Sequence, residues 1–153
     1  MASTDLLSAT EEAFWRALMR VVLSLPRRLD SDLLRAVGIT ASEYLTLMSL
    51  SEAPSRELRM TDLANDTGLS ASRITRLVNE LQARGLVTKR ASAEDRRGNV
   101  ASLTSAGLAK LRAAWGVHVS SVRALIFDHV DSASMSDAAQ TLSDISARLE
   151  EPL

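Results

Sequence analysis

Leu69-Ser70-Ala71-Ser72-Arg73-Ile74-Thr75-Arg76-Leu77-Val78-Asn79-Glu80-Leu81-Gln82-Ala83-Arg84-Gly85-Leu86-Val87 is the stretch that decides the fold. Ile74, Leu77, Val78 and Leu81 recur at helical spacing and mark one inward face. Ser70 is placed to cap the start of this helix, and Gly85 to close it after Arg84. Upstream, Gly68 breaks a shorter helix with Leu63 and Ala64 inward and a cap expected at Thr61. Two helices around a tight turn result. Downstream the period changes. Leu86–Arg90 and Asn99–Leu103 are short and β-compatible, and the polar tip between them holds Asp95, Arg96 and Arg97. Two short strands around a charged tip make a hairpin.

Helical period dominates on both sides. Phe14, Leu18, Val21 and Leu25 share one face of a first helix, and Ser8 with Glu11 fits a capping box at its start. Pro26 ends or bends that helix, and a short helix is expected over 30–36, closed by Gly38. Ser42–Leu50 reads as another helix, with Tyr44 or Leu45, Leu47 or Met48, and Leu50 inward, stopped by Pro54. Beyond the hairpin, Thr104 can cap a long helix over 105–129, with Leu108, Leu111, Trp115, Val119, Val122 and Ile126 in phase. A last helix follows Ser134 or Ser136, with Met135, Ala138, Leu142, Ile145 and Leu149 in phase.

The expected fold is mainly α with a small β-hairpin wing: a winged helix-turn-helix plus N- and C-terminal dimerisation helices. The division is 1–38 for the N-terminal helices, 39–104 for the winged helix-turn-helix, and 105–153 for the C-terminal helices. The two ends are long amphipathic helices with little of their own domain to bury against. A second copy of the chain is the simplest cover, as a symmetric dimer.

The 153 residues contain no cysteine, which removes disulfides, thiolate zinc sites and cysteine-based sensing. The longest apolar stretch, Val21-Val22-Leu23, is far short of the ~20 residues of a membrane-spanning helix. The first residues carry no basic region followed by an apolar one, so a cytoplasmic protein is expected. Enzyme chemistry finds no foothold. There is no glycine-rich phosphate loop and no nucleophile constellation, and His118 and His129, 11 residues apart on one helix, are too far apart to share a metal. No metal site and no cofactor is expected.

The net charge of −1 hides a division. Ser70–Arg97 carries seven basic residues (Arg73, Arg76, Arg84, Lys89, Arg90, Arg96, Arg97) against three acidic ones, a local charge of +4. The rest of the chain therefore carries −5. A charge run is ordinarily a solvated face. Here the cations fall on one helix and one hairpin tip, which is the footprint of a nucleic-acid surface. Opposite the apolar face of the 70–84 helix stand Ser72, Arg73, Thr75, Arg76 and Asn79, beside the capping Ser70. Small residues allow close approach to a major groove. Arginine can read guanine as a bidentate donor, and hydroxyls can hold phosphates. At the tip, an extended Arg96 or Arg97 can enter a minor groove, with Asp95 holding a guanidinium in place.

These motifs resemble the MarR family of bacterial transcription regulators. The resemblance rests on Leu63-Ala64, Leu69-Ser70-x-Ser72, Ile74-Thr75-Arg76-Leu77-Val78, Leu81-x-x-x-Gly85-Leu86-Val87, Asp95-Arg96-Arg97 and Leu103-Thr104-x-x-Gly107, in the family's order and spacing. It implies a homodimer on double-stranded DNA, at a pseudo-palindromic operator, with Ser72, Arg73, Thr75 and Arg76 as recognition-helix contacts. Arg97 would be the wing arginine and Asp95 its support. Members often have Asp-Pro just before the tip, where this chain has Ser92-Ala93.

The resemblance further implies a repressor released by a small aromatic or anionic effector. By position, its pocket would draw on Trp15, Arg16, Met19, Tyr44, Met48, Trp115 and His118. Two other readings of the same fold stay open from sequence: a winged-helix module that binds protein instead of DNA, and a transcriptional activator.

Overall fold

The computed structural model describes residues 6–91 and 99–150. The chain divides into two compact units, Met1–His118 and Val119–Leu153. The first unit begins with α1 (Ala9–Val37), whose start carries the expected capping box: Ser8 Oγ accepts from Glu11 N–H, and the Glu11 carboxylate accepts from Ser8 N–H. The separate helix expected over 30–36 is the C-terminal part of α1, which runs through Pro26. Proline removes the hydrogen bond to the Val22 carbonyl and its ring crowds that carbonyl, yet the helix continues.

Then come α2 (Ala41–Glu52), β1 (Glu57–Arg59), α3 (Met60–Thr67), α4 (Ala71–Ala83), β2 (Val87–Ala91), β3 (Asn99–Leu103) and α5 (Ser105–Leu125). The start of α2 has a second capping box, with Thr40 and Glu43 exchanging bonds. The strands form an antiparallel sheet in the order β1-β3-β2, so a third strand joins the expected hairpin. Glu57 lies opposite Ser102, and Val87 opposite Leu103. Three residues are too few for an alternation that sequence could show. Because β1 leads straight into α3, Arg59 occupies the cap position, without a side-chain cap. Thr61, expected as the cap, instead lies in the first turn, its hydroxyl near Asp62.

Gly68 closes α3 in the left-handed region, at φ 64°, and lets the chain turn into α4 at Ser70. The core gathers Leu33 and Ile39 with Tyr44, Leu47 and Leu50 of α2, Leu63 of α3, Ile74, Val78 and Leu81 of α4, Val87 and Ala101 of the sheet, and Leu111 of α5. Each fully buried leucine or isoleucine contributes about 2 kcal/mol. Tyr44, Leu47 and Leu50 are thus the inward choice in α2. Leu45 is 40% exposed and Met48 packs at the core's edge.

In the second unit α5 ends at Leu125, short of the 129 expected, because a 3-10 turn over Phe127–His129 follows. α6 (Met135–Glu150) closes the fold. Its apolar face, Leu142, Ile145 and Leu149, is exposed in the single chain. So, in the first unit, are Phe14, Trp15, Val21, Val22 and Leu23 of α1.

Candidate nucleic-acid interface

The positions proposed for DNA contact begin at α4. Ser70 is extended (φ −63°, ψ 151°) and its Oγ accepts from Arg73 N–H, which starts the helix there. Burial of Ile74, Leu77, Val78 and Leu81 then turns Ser72, Arg73, Thr75, Arg76 and Asn79 outward, and all five are exposed. Ser70 and Ser72 share a hydrogen bond of 3.3 Å. The Thr75 hydroxyl donates to Ala71 O at 2.7 Å, which leaves its oxygen able to accept from outside. Asp95, Arg96 and Arg97 lie outside the described residues.

Packing sorts the basic residues of this region. Arg84 turns back onto the fold, donating to Glu43 Oε1 at 2.6 Å and to the Gly38 carbonyl at 2.9 Å. On β2, alternate side chains go to opposite neighbours. Lys89 Nζ donates to Asn79 Oδ1 at 2.6 Å, linking wing to recognition helix. Arg90 donates to Glu57 at 2.7 Å, and the same carboxylate accepts from Ser102 Oγ at 2.7 Å. The Ser102 hydrogen bond, and then Arg90, hold the Glu57 carboxyl below the usual carboxylate range. Arg84, Lys89 and Arg90 therefore brace the scaffold. Asn79 is likewise occupied by Lys89.

Arg73 and Arg76 face an open groove of about 340 Å³ between the start of α2 and α4. Asp30, Thr40, Ser42, Leu77 and Glu80 complete its lining. Arg73 Nη2 lies 3.5 Å from Ser42 Oγ, across 31 residues of sequence. Thr40 and Ser42 are absent from the sequence-based set. Local sequence carries no sign of them, because only the packing of α2 on its neighbours brings them beside the recognition helix.

The positions proposed for an effector are spread over three helices. Tyr44 is buried and its ring stacks on His118. Burial, and then the charge of Glu52, raises the Tyr44 pKa, and burial lowers that of His118. Met19 and Met48 are half-buried. Trp15 and Trp115 are about half exposed, and Arg16 is exposed on α1 and paired with Glu12. Among the described residues, no group of three His, Cys, Asp or Glu side chains could hold a metal ion, and no helix is long and apolar enough to cross a membrane.

A family model described as MarR family matches residues 37–98. The HTH-type transcriptional regulator PrsX of Escherichia coli is 33% identical over 94 residues, which cover 60% of this chain and 57% of that protein. The HTH-type transcriptional repressor YetL of Bacillus subtilis is 30% identical over 94 residues, covering 61% and 56%. The matched stretch thus spans little more than half the length of these curated relatives. Among solved structures the likeness runs through nearly the whole chain. Sco3205, a MarR family transcriptional regulator from Streptomyces coelicolor solved in complex with DNA, superposes with a TM-score of 0.90 at 31% identity, covering 96% of this chain and 92% of that one. AbsC, another MarR family regulator from Streptomyces coelicolor, gives a TM-score of 0.87 at 33% identity, covering 95% and 98%.

Proposed function

The chain belongs to the MarR family, and from that premise we propose that it is a sequence-specific, homodimeric DNA-binding transcription regulator. It acts in the cytoplasm, performs no catalysis, and represses until a small aromatic or anionic compound releases it. The winged helix-turn-helix of 39–104 binds the operator, while 1–38 and 105–153 supply the dimer. The observation that carries this reading is the outward face of α4. Ser72, Arg73, Thr75 and Arg76 stand exposed on the first two turns of a helix whose opposite face is locked into the core. Such a helix can enter a major groove without cost to the fold. The exposed apolar faces of α1 and α6 support the dimer, since long unpaired apolar stripes call for a partner. Tyr44, buried, and His118, half-buried, support the effector site as stacked polar rings on two helices.

The test is selection of bound duplexes from a random DNA pool, repeated with phenolic and carboxylate compounds. A dimer yields a pseudo-palindrome with half-sites about one helical turn, ~10 base pairs, apart. A folded protein that enriches no sequence would defeat the DNA-binding reading. Release by none of the compounds would defeat the effector.

A further inference from the structure

We infer that the groove between the start of α2 and α4 holds one phosphodiester of the bound DNA strand, so that Arg73 anchors the backbone while Arg76 is left to read bases. This rests on the DNA-binding reading and adds Ser42 and Thr40 to it. The observation is a juxtaposition across the fold: Arg73 leans off its own helix to within 3.5 Å of Ser42 Oγ, over a groove also lined by Thr40 and Arg76.

The chemistry of that end is oxyanion chemistry. A guanidinium presents a rigid fork of donors that matches two phosphate oxygens. The Ser42 hydroxyl accepts from Arg73 and keeps its own proton to donate. Thr40 Oγ1 already accepts from Glu43 N–H, so it too has a proton to give. Two carboxylates, Asp30 and Glu80, also line the groove and balance the two arginines in the DNA-free protein. Asp30 is held by Ala41 N–H at 2.7 Å. Glu80 stands one helical turn beyond Arg76 on α4.

Position argues for a DNA phosphate over a free anion. Phosphate contacts in DNA complexes come from arginine side chains, Ser and Thr hydroxyls and helix N-termini that flank the recognition helix. Ser42, in the first turn of α2, and Arg73, near the start of α4, bring such groups together at one end of the groove. An arginine turned to that end is turned away from base edges.

The experiment compares wild type, Arg73→Gln, Ser42→Ala and Arg76→Gln on cognate and scrambled duplexes over a range of salt. Circular dichroism melts confirm that each variant is folded. Arg73→Gln should weaken both duplexes by a similar factor and reduce the log–log salt slope by about 1.8, the loss of one neutralised phosphate in each half-site. Ser42→Ala should weaken both about fivefold per half-site with base preference unchanged. A single methylphosphonate moved along the operator should find one position in each half-site that weakens wild type and leaves Arg73→Gln unaffected. The inference is overturned if Arg73→Gln alters base preference at an unchanged slope, or if no methylphosphonate position couples to Arg73. It is also overturned if inorganic phosphate binds the DNA-free protein by calorimetry and Arg73→Gln abolishes that binding, which makes the groove a free-anion site. Failure of the wild type to bind any duplex defeats the DNA-binding reading itself, and is distinguishable because every variant then behaves alike.

Discussion

The imidazole of His118, on α5, stacks against the ring of Tyr44, on α2, with centroids 4.6 Å apart and planes inclined by 28°. Neither His118 Nδ1 nor Tyr44 Oη hydrogen-bonds another described residue, and both are out of reach of solvent. The contact ties a helix that leads out of the winged domain to one that flanks its recognition helix.

The stack makes stability depend on pH. Burial disfavours the imidazolium, so the pKa of His118 is lowered in the fold. The unfolded chain takes up that proton near pH ~6.5, where the folded chain does not. Stability is complete above that value, falls as pH drops through it, and levels off below the folded pKa. Urea midpoints should therefore fall between pH 7.5 and 5, and His118→Phe, which keeps a ring on Tyr44, should flatten the fall. An unchanged slope in that variant would place the effect elsewhere. Glu57 acts in a lower window. Its pKa is depressed by Ser102 and Arg90, so its contribution persists until pH falls below ~4.5.

Gly107 tolerates no side chain. A methyl group there would overlap the Leu86 carbonyl oxygen and come within 2.7 Å of Leu103 Cδ1. That carbonyl already accepts from Thr104 N–H at 3.2 Å, and Thr104 Oγ1 caps α5 by accepting from Gly107 N–H at 3.0 Å. Gly107→Ala should cost at least about 3 kcal/mol, because backbone must move to make room. At ~2–4 °C per kcal/mol the melting temperature should drop by roughly 10 °C. A wild-type melting temperature would contradict this packing.

Glu43 is a buried carboxylate serving two partners, Thr40 N–H at 2.7 Å and Arg84 at 2.6 Å. Glu43→Ala removes a helix cap and leaves Arg84 with only the Gly38 carbonyl, for a loss of about 2 kcal/mol. Glu43→Gln keeps an acceptor and should lose less than half of that. Thermal melts of the two variants test the ordering, and equal losses would show that charge, not hydrogen bonding, is what matters.

Arg76 is the α4 cation for which base reading is proposed. Arg76→Ala should cost about 1–3 kcal/mol on the selected operator and blur preference at one position of each half-site. Repeating the pool selection with the variant reads both effects. An identical consensus would remove Arg76 from base recognition.

The helix-turn-helix was legible from residues 63–87 because its signals are local. The Ile74, Leu77, Val78, Leu81 face, the Ser70 cap and Gly68 all act within a few residues of where they stand. The Ser8–Glu11 box and the Thr104 cap were legible for the same reason. What was missed depended on distant neighbours. Local signals would end the first helix at Pro26, yet α1 continues through it, and β1 is a strand only because β3 lies beside it.

The candidate site divides in the same way. By itself the sequence determined that a cationic helix of this period stands in a winged domain, since capping and amphipathic spacing are short-range physics. Only the tertiary structure decided what each cation does. Arg84 is drawn to Glu43 over 41 residues, Arg90 to Glu57 over 33 and Arg73 to Ser42 over 31. Those pairings come from the way α2 and the sheet pack around α4. A charge pattern counts cations, but the partner that packing delivers to each one settles whether it braces the fold or faces the DNA.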